Sequence, residues 1–286
     1  MTAAGEANPT VARRKLAVYF RQLREQQQVS LGIIAQVLGV DRSQASRLDT
    51  GARGFQVEDV QKLARWYGLD DADRTLLVAL AEEQRRRAWW QQYDLDPAVR
   101  TLIGMEQAAL SIAEYASSVI PGMLQTRDYA VAVASGARGV LDVDQQRLID
   151  AVEVRMRRQR VFDRTRPPEL WTVIDEAALA RAQGNAEVMR GQLEHLHARA
   201  TEPGITVQVI GFEYGPYPSG DHFILLHMGG LLSEVLYTDS LHKPTLTTDV
   251  QELRGARRLW DGLRALSLSP RDSAERIKEY LDRVSP

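Results

Sequence analysis

Residues 41–47 read Asp-Arg-Ser-Gln-Ala-Ser-Arg, which sets two arginines, an amide and two hydroxyls within seven positions. An arginine fork can donate two parallel hydrogen bonds to guanine O6 and N7, and a glutamine amide can pair with adenine in the same way. Each such pairing is worth about 1–3 kcal/mol of discrimination. This chemistry needs the side chains on one exposed face of a rigid element, with a second element bracing it. The segment SLGIIAQVLGVDRSQASRLDTG, residues 30–51, predicts both. Ser30 is a good N-cap for a helix carrying Ile34, Ala35 and Leu38 on one face. Gly39-Val40 breaks that helix, and Asp41 caps the next, with Gln44 three residues on in capping-box position. The second helix runs through Leu48 and stops at Gly51, where glycine tolerates a left-handed C′ conformation. Helix, tight turn and helix is the helix-turn-helix layout. In that layout the second helix lies in the DNA major groove and the first crosses the backbone. Arg42, Ser43, Gln44, Ser46 and Arg47 then face solvent, while Ala45 and Leu48 face the bracing helix.

Three further helices are predicted around this pair. Leu16, Phe20 and Leu23 mark one face of a first helix. Val60, Leu63, Ala64 and Tyr67 line a fourth that Gly68 ends, and Leu76, Leu77, Leu80 and Ala81 mark a fifth. The charge distribution singles out the same region. The whole chain of 286 residues carries a net charge of −2, which by itself points to no partner. Residues 11–55 hold eight basic residues (Arg13, Arg14, Lys15, Arg21, Arg24, Arg42, Arg47 and Arg53) against three acids, Glu25, Asp41 and Asp49. That segment is therefore +5 and the remainder −7. The asymmetry implies an anion-facing N-terminal module on an otherwise acidic protein. Arginine outnumbers lysine throughout, 32 to four, which reads as coding bias and carries no functional weight.

On these residues the segment resembles the xenobiotic-response-element class of helix-turn-helix proteins, related to the phage repressors. The likeness covers about residues 12–81 as a five-helix domain. It is carried by Ser30, Ala35, Leu38, Gly39-Val40, Ser46-Arg47 and Thr50-Gly51. It implies base-facing roles for Arg42, Ser43, Gln44, Ser46 and Arg47 and a backbone contact for Arg53, with Ser30 in the DNA-binding set. Two residues depart from the family pattern. Leu31 stands where the family has a phosphate-anchoring Gln, and Asp41 stands where it has a Ser or Thr cap. Both changes imply modest affinity and a narrower usable salt range.

The stretch Arg85-Arg86-Arg87-Ala88-Trp89-Trp90-Gln91-Gln92-Tyr93 marks a domain junction at residues 88–99. Basic residues interleaved with aromatics could stack on bases. The favoured reading is a helix C-terminus followed by aromatics packed into the fold. Beyond Pro97, helical patterns fall at about 100–116, 126–135 and 143–163. β-rich runs follow at 170–174, 205–210, 223–227 and 235–237, with a helix of about 15 residues around 188–197 between the first two. Strand, helix, strand predicts a parallel pair, and Gly229-Gly230 between the last two predicts an antiparallel hairpin. Helices near 247–266 and 272–283 close the chain, the latter capped by Ser269 or Asp272. The expected fold class is α+β, an all-α domain at 12–87 followed by a mixed sheet flanked by helices at 100–286.

The second region is similar to the C-terminal domain of actinobacterial regulators of the WhiJ/Scr1 antitoxin-like type. The likeness rests on Glu106, Ala109, Ile112 and Tyr115, then Val119-Ile120-Pro121-Gly122-Met123-Leu124-Gln125-Thr126 with Tyr129-Ala130. It continues through Arg155, Arg158-Gln159, Asp175-Glu176-Ala177-Ala178-Leu179 and the strands at 207–210 and 235–237. It implies a transcriptional regulator with a sensing or partner-binding domain, often found with a small partner protein. An antitoxin-like module whose main role is to bind a cognate protein is the alternative. Pro121 to Thr126 reads equally as a structural corner or as part of a pocket. Arg155, Arg158 and Gln159 share a helix face. They could bind an anionic ligand or pair with Asp175 and Glu176, which fall at a strand's carboxyl end where ligands of open sheets bind. The candidate ligand or partner set is Gln125, Arg155, Arg158, Gln159 and Glu176.

Little in the chain points to catalysis, and no catalytic residue, metal ligand or cofactor is assigned. Asp175 and Glu176 are adjacent and point different ways. His195 and His197 are two apart on a helix and share no face. His222 and His227 flank one strand with no evident partner, and His242 stands apart. Ser219 lies in Pro218-Ser219-Gly220-Asp221, not in a nucleophile elbow. No phosphate loop or dinucleotide fingerprint is present. The absence of cysteine excludes disulfides, thiol catalysis and thiolate metal sites. With 44% hydrophobic and 26% charged residues the chain can bury a core. It has no run of about 18 apolar residues and no apolar stretch ahead of its first charges. A cytoplasmic homodimer is therefore expected, acting on double-stranded DNA under a small effector or partner protein.

Overall fold

The computed structural model describes residues 8–138, 144–218, 221–239 and 244–284, so Ser219, Gly220 and His242 lie outside the described residues. The chain divides into two compact units, Met1–Gln92 with Gly229–Ser233, and Tyr93–Met228 with Glu234–Pro286.

The first unit is built from five helices, α1 (Pro9–Gln26), α2 (Leu31–Leu38), α3 (Arg42–Asp49), α4 (Val57–Trp66) and α5 (Asp71–Glu83). Each begins where a side chain satisfies an otherwise orphan amide. Asn8, Ser30, Asp41 and Asp70 accept from the backbone inside α1, α2, α3 and α5, and Asp59 reaches back to the Gln56 amide at the head of α4. The apolar faces meet in one core around Leu16, Phe20, Ile34, Leu38, Leu48, Phe55, Leu63 and Leu77. Phe20 and Phe55 meet there with ring centroids 5.2 Å apart. In the fifth helix Leu77 and Ala81 are buried, but Leu76 is 58% exposed and is not a core residue. Arg85, Arg86 and Arg87 are exposed while Trp90 is buried, its ring edge-on to Trp89. The aromatics are packed into the fold, which removes Trp90 as a base-stacking platform.

The second unit is a six-stranded mixed sheet with helices. Its elements are α6 (Pro97–Glu106), β1 (Ser111–Ala116), α7 (Arg127–Arg138), α8 (Gln145–Arg158), β2 (Glu169–Asp175), α9 (Ala177–Ala180), α10 (Ala186–Arg199), β3 (Ile205–Ile210), β4 (His222–His227), β5 (Glu234–Asp239), β6 (Thr245–Thr247), α11 (Val250–Leu266) and α12 (Pro270–Arg283). The strand order is β3-β2-β1-β4-β5-β6. β1, β2 and β3 run parallel, and β4, β5 and β6 add antiparallel. The parallel β2–β3 pair and the β4–β5 hairpin through Gly229 and Gly230, both at positive φ, are as the sequence predicts. One face of the sheet, with Tyr115, Val173, Phe223 and Leu225, packs on Leu253, Trp260 and Leu263 of α11. α12 is capped by Ser269, which accepts from the Asp272 amide.

One expectation is corrected here. The helix expected at 100–116 ends at Glu106, and 111–116 is the central strand β1. Glu106, Ala109, Ile112 and Tyr115 recur every three residues and so imitate a helix face. The strand is paired on both edges and covered on both faces, which hides the alternation a half-exposed strand would show. β6, three residues at the sheet edge, falls below what periodicity can detect.

Candidate nucleic-acid interface

The turn between α2 and α3 is fixed by local chemistry. Ser30 Oγ accepts from the Ile33 amide at 3.3 Å, and Gly39 ends α2 in the left-handed conformation, φ +72°. Asp41 Oδ1 accepts from the Gln44 amide at 2.7 Å, which starts α3. The reciprocal bond of a capping box, from the Gln44 side chain to the Asp41 amide, is absent among the described residues. Ala45 and Leu48 are fully buried against the bracing helix and the core.

Three cations hold this motif from behind. Arg21 donates from Nε and Nη2 to the Asp49 carbonyl at 3.0 and 2.6 Å, at the C-terminus of α3 where the helix dipole favours positive charge. Arg24 forks onto the Asp49 carboxylate, Nε to Oδ1 at 2.7 Å and Nη2 to Oδ2 at 3.1 Å. The hydrogen bond that Arg24 donates to Asp49 raises the Arg24 pKa despite burial. Lys62 Nζ donates to the Leu38 carbonyl at the end of α2 at 3.1 Å. These anchoring roles are invisible in the sequence, where Arg21 and Arg24 count simply as positive charges. The anion-facing charge is correspondingly smaller than +5. Arg13 and Arg14 are partly buried, and desolvation lowers the pKa of both.

The face of α3 opposite the anchors is differently furnished. Arg42, Ser43 and Arg47 are exposed, and Gln44 and Ser46 are half-buried. Among the described residues none of these five side chains has a hydrogen-bond or ion-pair partner. Arg53 is exposed on the loop after α3, and its backbone amide donates to the Arg47 carbonyl at 2.9 Å. Gly51, at φ +72°, brings that loop against α1, where a Cβ would sit 3.2 Å from that of Ala17. Ser30 is occupied as the cap of α2, though its hydroxyl proton remains available.

The residues predicted for the second unit are also placed, and only some come together. Arg155 Nη1 donates to Gln125 Oε1 at 2.9 Å. Gln159 Nε2 donates to the Gly122 and Gln125 carbonyls at 2.9 and 2.8 Å. Arg158 forks onto Glu106, Nη2 to Oε1 at 2.6 Å and Nε to Oε2 at 2.8 Å. Neither arginine pairs with Asp175 or Glu176, which corrects that expectation. Glu176 is held elsewhere by the Phe212 amide at 2.7 Å, Arg276 at 2.8 Å and Tyr280 Oη at 2.9 Å. Asp175 accepts from the Ala177 amide and from Tyr217 Oη. The two neighbouring acids do point apart, but into structural networks. His222 has the partner the sequence does not disclose, since its Nε2 lies 2.8 Å from Oε1 of buried Glu114 across the sheet.

A well-anchored helix-turn-helix with an unpartnered polar outer face defines the first unit as a DNA-binding module. Residues 15–77 match a helix-turn-helix domain family. Residues 99–279, well over half the chain, match a second family described as a domain of unknown function (DUF5753), and the protein belongs to that family. It is thus a helix-turn-helix DNA-binding regulator carrying a DUF5753 domain. No curated protein and no solved structure gives a match. No helix among the described residues is long and apolar enough to cross a membrane.

Proposed function

We propose that the protein is a sequence-specific transcriptional regulator of the xenobiotic-response-element type whose α3 enters the DNA major groove. Arg42, Ser43, Gln44, Ser46 and Arg47 would read base edges there, and Ser30 and Arg53 would contact the backbone. The observation that carries this reading is the division of labour around α3. Its inner face is tied down by Arg21, Arg24 and the core, while its outer side chains lack partners among the described residues. A rigid element with unspent forked donors is what direct readout requires. Residues 12–87 form the DNA-reading part in this proposal, 88–99 the junction and 100–286 the controlling part, of WhiJ/Scr1 type. One recognition helix covers a half-site, so a homodimer would present two helices about 34 Å apart to a near-palindromic operator. A small effector or partner protein that bound the second unit differently in free and DNA-bound states would shift operator occupancy.

The test begins with selection of bound sequences from a random duplex pool using the full chain. Arg42→Ala and Arg47→Ala are then compared on the selected operator and on random DNA. Each should lose about five- to 150-fold of operator affinity, from about 1–3 kcal/mol of base discrimination, while random-sequence binding falls much less. Equal losses on both DNAs would remove the base-reading role.

A further inference from the structure

Arg155 is a half-buried arginine of the second unit that no carboxylate touches among the described residues. Arg158, one helical turn on, is forked onto Glu106, and Arg276 is shared by Glu176 and Glu213. The single hydrogen bond of Arg155 among the described residues goes to a neutral amide, Gln125 Oε1. That amide cannot turn away, since its Nε2 donates to the buried Ile120 carbonyl at 2.6 Å. Gln159 pins the same loop through the Gly122 and Gln125 carbonyls. The arginine side chain lies along Gly122, where a Cβ would be 3.6 Å from its Nε. Its remaining donors have no partner among the described residues, although a guanidinium carries five. The carboxylate whose charge acts on it is Asp239, exposed at the end of β5 and not hydrogen-bonded to it. Burial, with the charge of Arg158 added, lowers the Arg155 pKa to about 10. The guanidinium is half-buried, so these donors stay open to an incoming group, and no contacting carboxylate offsets the charge.

The position is also suggestive. The loop holding Gln125 follows the carboxyl end of β1, and Asp239 closes β5 at the same edge of the sheet. Ligands of open sheets with parallel strands bind at that edge.

We propose that Arg155, aimed by Gln125 and floored by Gly122, is the receptor for one carboxylate or phosphate group of a small molecule. This rests on the reading of the second unit as the controlling domain. The guanidinium fork matches either group in bidentate fashion. The site takes a single negative group and not a polyanion. The charge of Arg158 is already matched by Glu106, and Asp239 opposes a second anion at the rim.

The test uses the full chain, with acetate and inorganic phosphate as probes against chloride at matched ionic strength. Wild type should show a saturable rise in the melting temperature of the second unit, about 3–5 °C at tenfold excess over the dissociation constant. The Arg155 Nε–H resonance should move with the same midpoint. Citrate should bind no better than acetate. Arg155→Met should abolish the response while melting no lower than wild type without anion. Arg155→Lys, which keeps the charge but not the fork, should retain only a weakened response, and Arg254→Gln on exposed α11 should respond like wild type. No difference between probes and chloride, or an unaltered response in Arg155→Met, would overturn the site. A steep loss of stability in Arg155→Met with wild type deaf to anions would do the same and assign Arg155 to the scaffold. Operator binding on the same samples separates the two readings. If anions fail to bind while the operator is still bound, the site falls and the regulator stands. If anions bind without changing operator affinity, the site stands and effector control falls.

Discussion

Arg42 and Arg47 of α3 and Arg155 and Arg158 of α8 are used in different ways. On α3, Arg42 and Arg47 are exposed with no side-chain partner among the described residues, and the acid within that helix, Asp49, is taken by Arg24 of another helix. On α8, Arg158 turns inward to a carboxylate that is 1% exposed, and Arg155 is partly withdrawn beside an amide. The same residue type is thus left outward on α3 and, at Arg158, spent on architecture. What decides between them is whether the fold supplies an acid. An exposed arginine can be removed with little loss of stability, whereas removing the partner of a buried acid leaves an uncompensated charge.

That contrast can be broken most forcefully at Arg158. Arg158→Met leaves the Glu106 carboxylate interior and unpaired, and should destabilise the second unit by about 3–5 kcal/mol in urea unfolding. Arg42→Ala and Arg47→Ala should change stability by less than about 0.5 kcal/mol. The double variant Glu106→Leu with Arg158→Met should recover most of the loss, because both charges leave together. If Arg158→Met is as mild as Arg47→Ala, the two helices do not differ in the way their contacts indicate.

The sequence discloses these two regions unequally, for physical reasons. In the first unit every helix start carries a capping residue and every core face a helical period, so the elements and the outward face of α3 follow from local rules. The docking of α3 does not, because Arg21 and Arg24 lie about 25 residues from Asp49 in sequence and only the fold brings them together. In the second unit the helix of 186–199 and four strands are legible. The central strand is not, since β1 buries both its faces and carries Glu114 inward to meet His222. The face shared by Arg155, Arg158 and Gln159 is visible as an i, i+3, i+4 pattern. Which of them keeps a spare charge depends on Glu106 and Gln125, which reach them from 30 residues or more away.

A smaller effect sharpens the outward half of the comparison. Asp41 caps α3 well but places a negative charge beside the proposed DNA face. Asp41→Ser keeps a capping oxygen and removes that charge. Operator affinity should rise two- to fivefold, from about 0.5–1 kcal/mol of relieved repulsion near the surface. Stability should fall by only a few tenths of a kcal/mol, as the favourable charge at the helix N-terminus is lost. A drop in affinity in mobility-shift titrations at constant salt would mean that the start of α3 does not approach phosphates.

The smallest effect separates the two units by pH. All five histidines lie between residues 195 and 242, and the first unit has none. His195 on α10 is partly buried, and desolvation, with Arg199 nearby, lowers its pKa below the ordinary value. In the unfolded chain the imidazole takes up its proton near pH 6.5, earlier on acidification than in the folded protein. The stability it contributes is therefore present above pH 6.5 and is lost as pH falls through the lower, folded value. Between about pH 7 and 5, before most carboxylates titrate, the second unit should weaken by less than about 1 kcal/mol from this residue. The first unit, which has no histidine, should hold its midpoint. His195→Gln should flatten the pH slope of the second transition in denaturation followed by tryptophan fluorescence. A slope unchanged by His195→Gln would place the loss elsewhere. A first transition that moved in step with the second would mean that the two units unfold as one, and the comparison between α3 and α8 would then have to be made on a single stability.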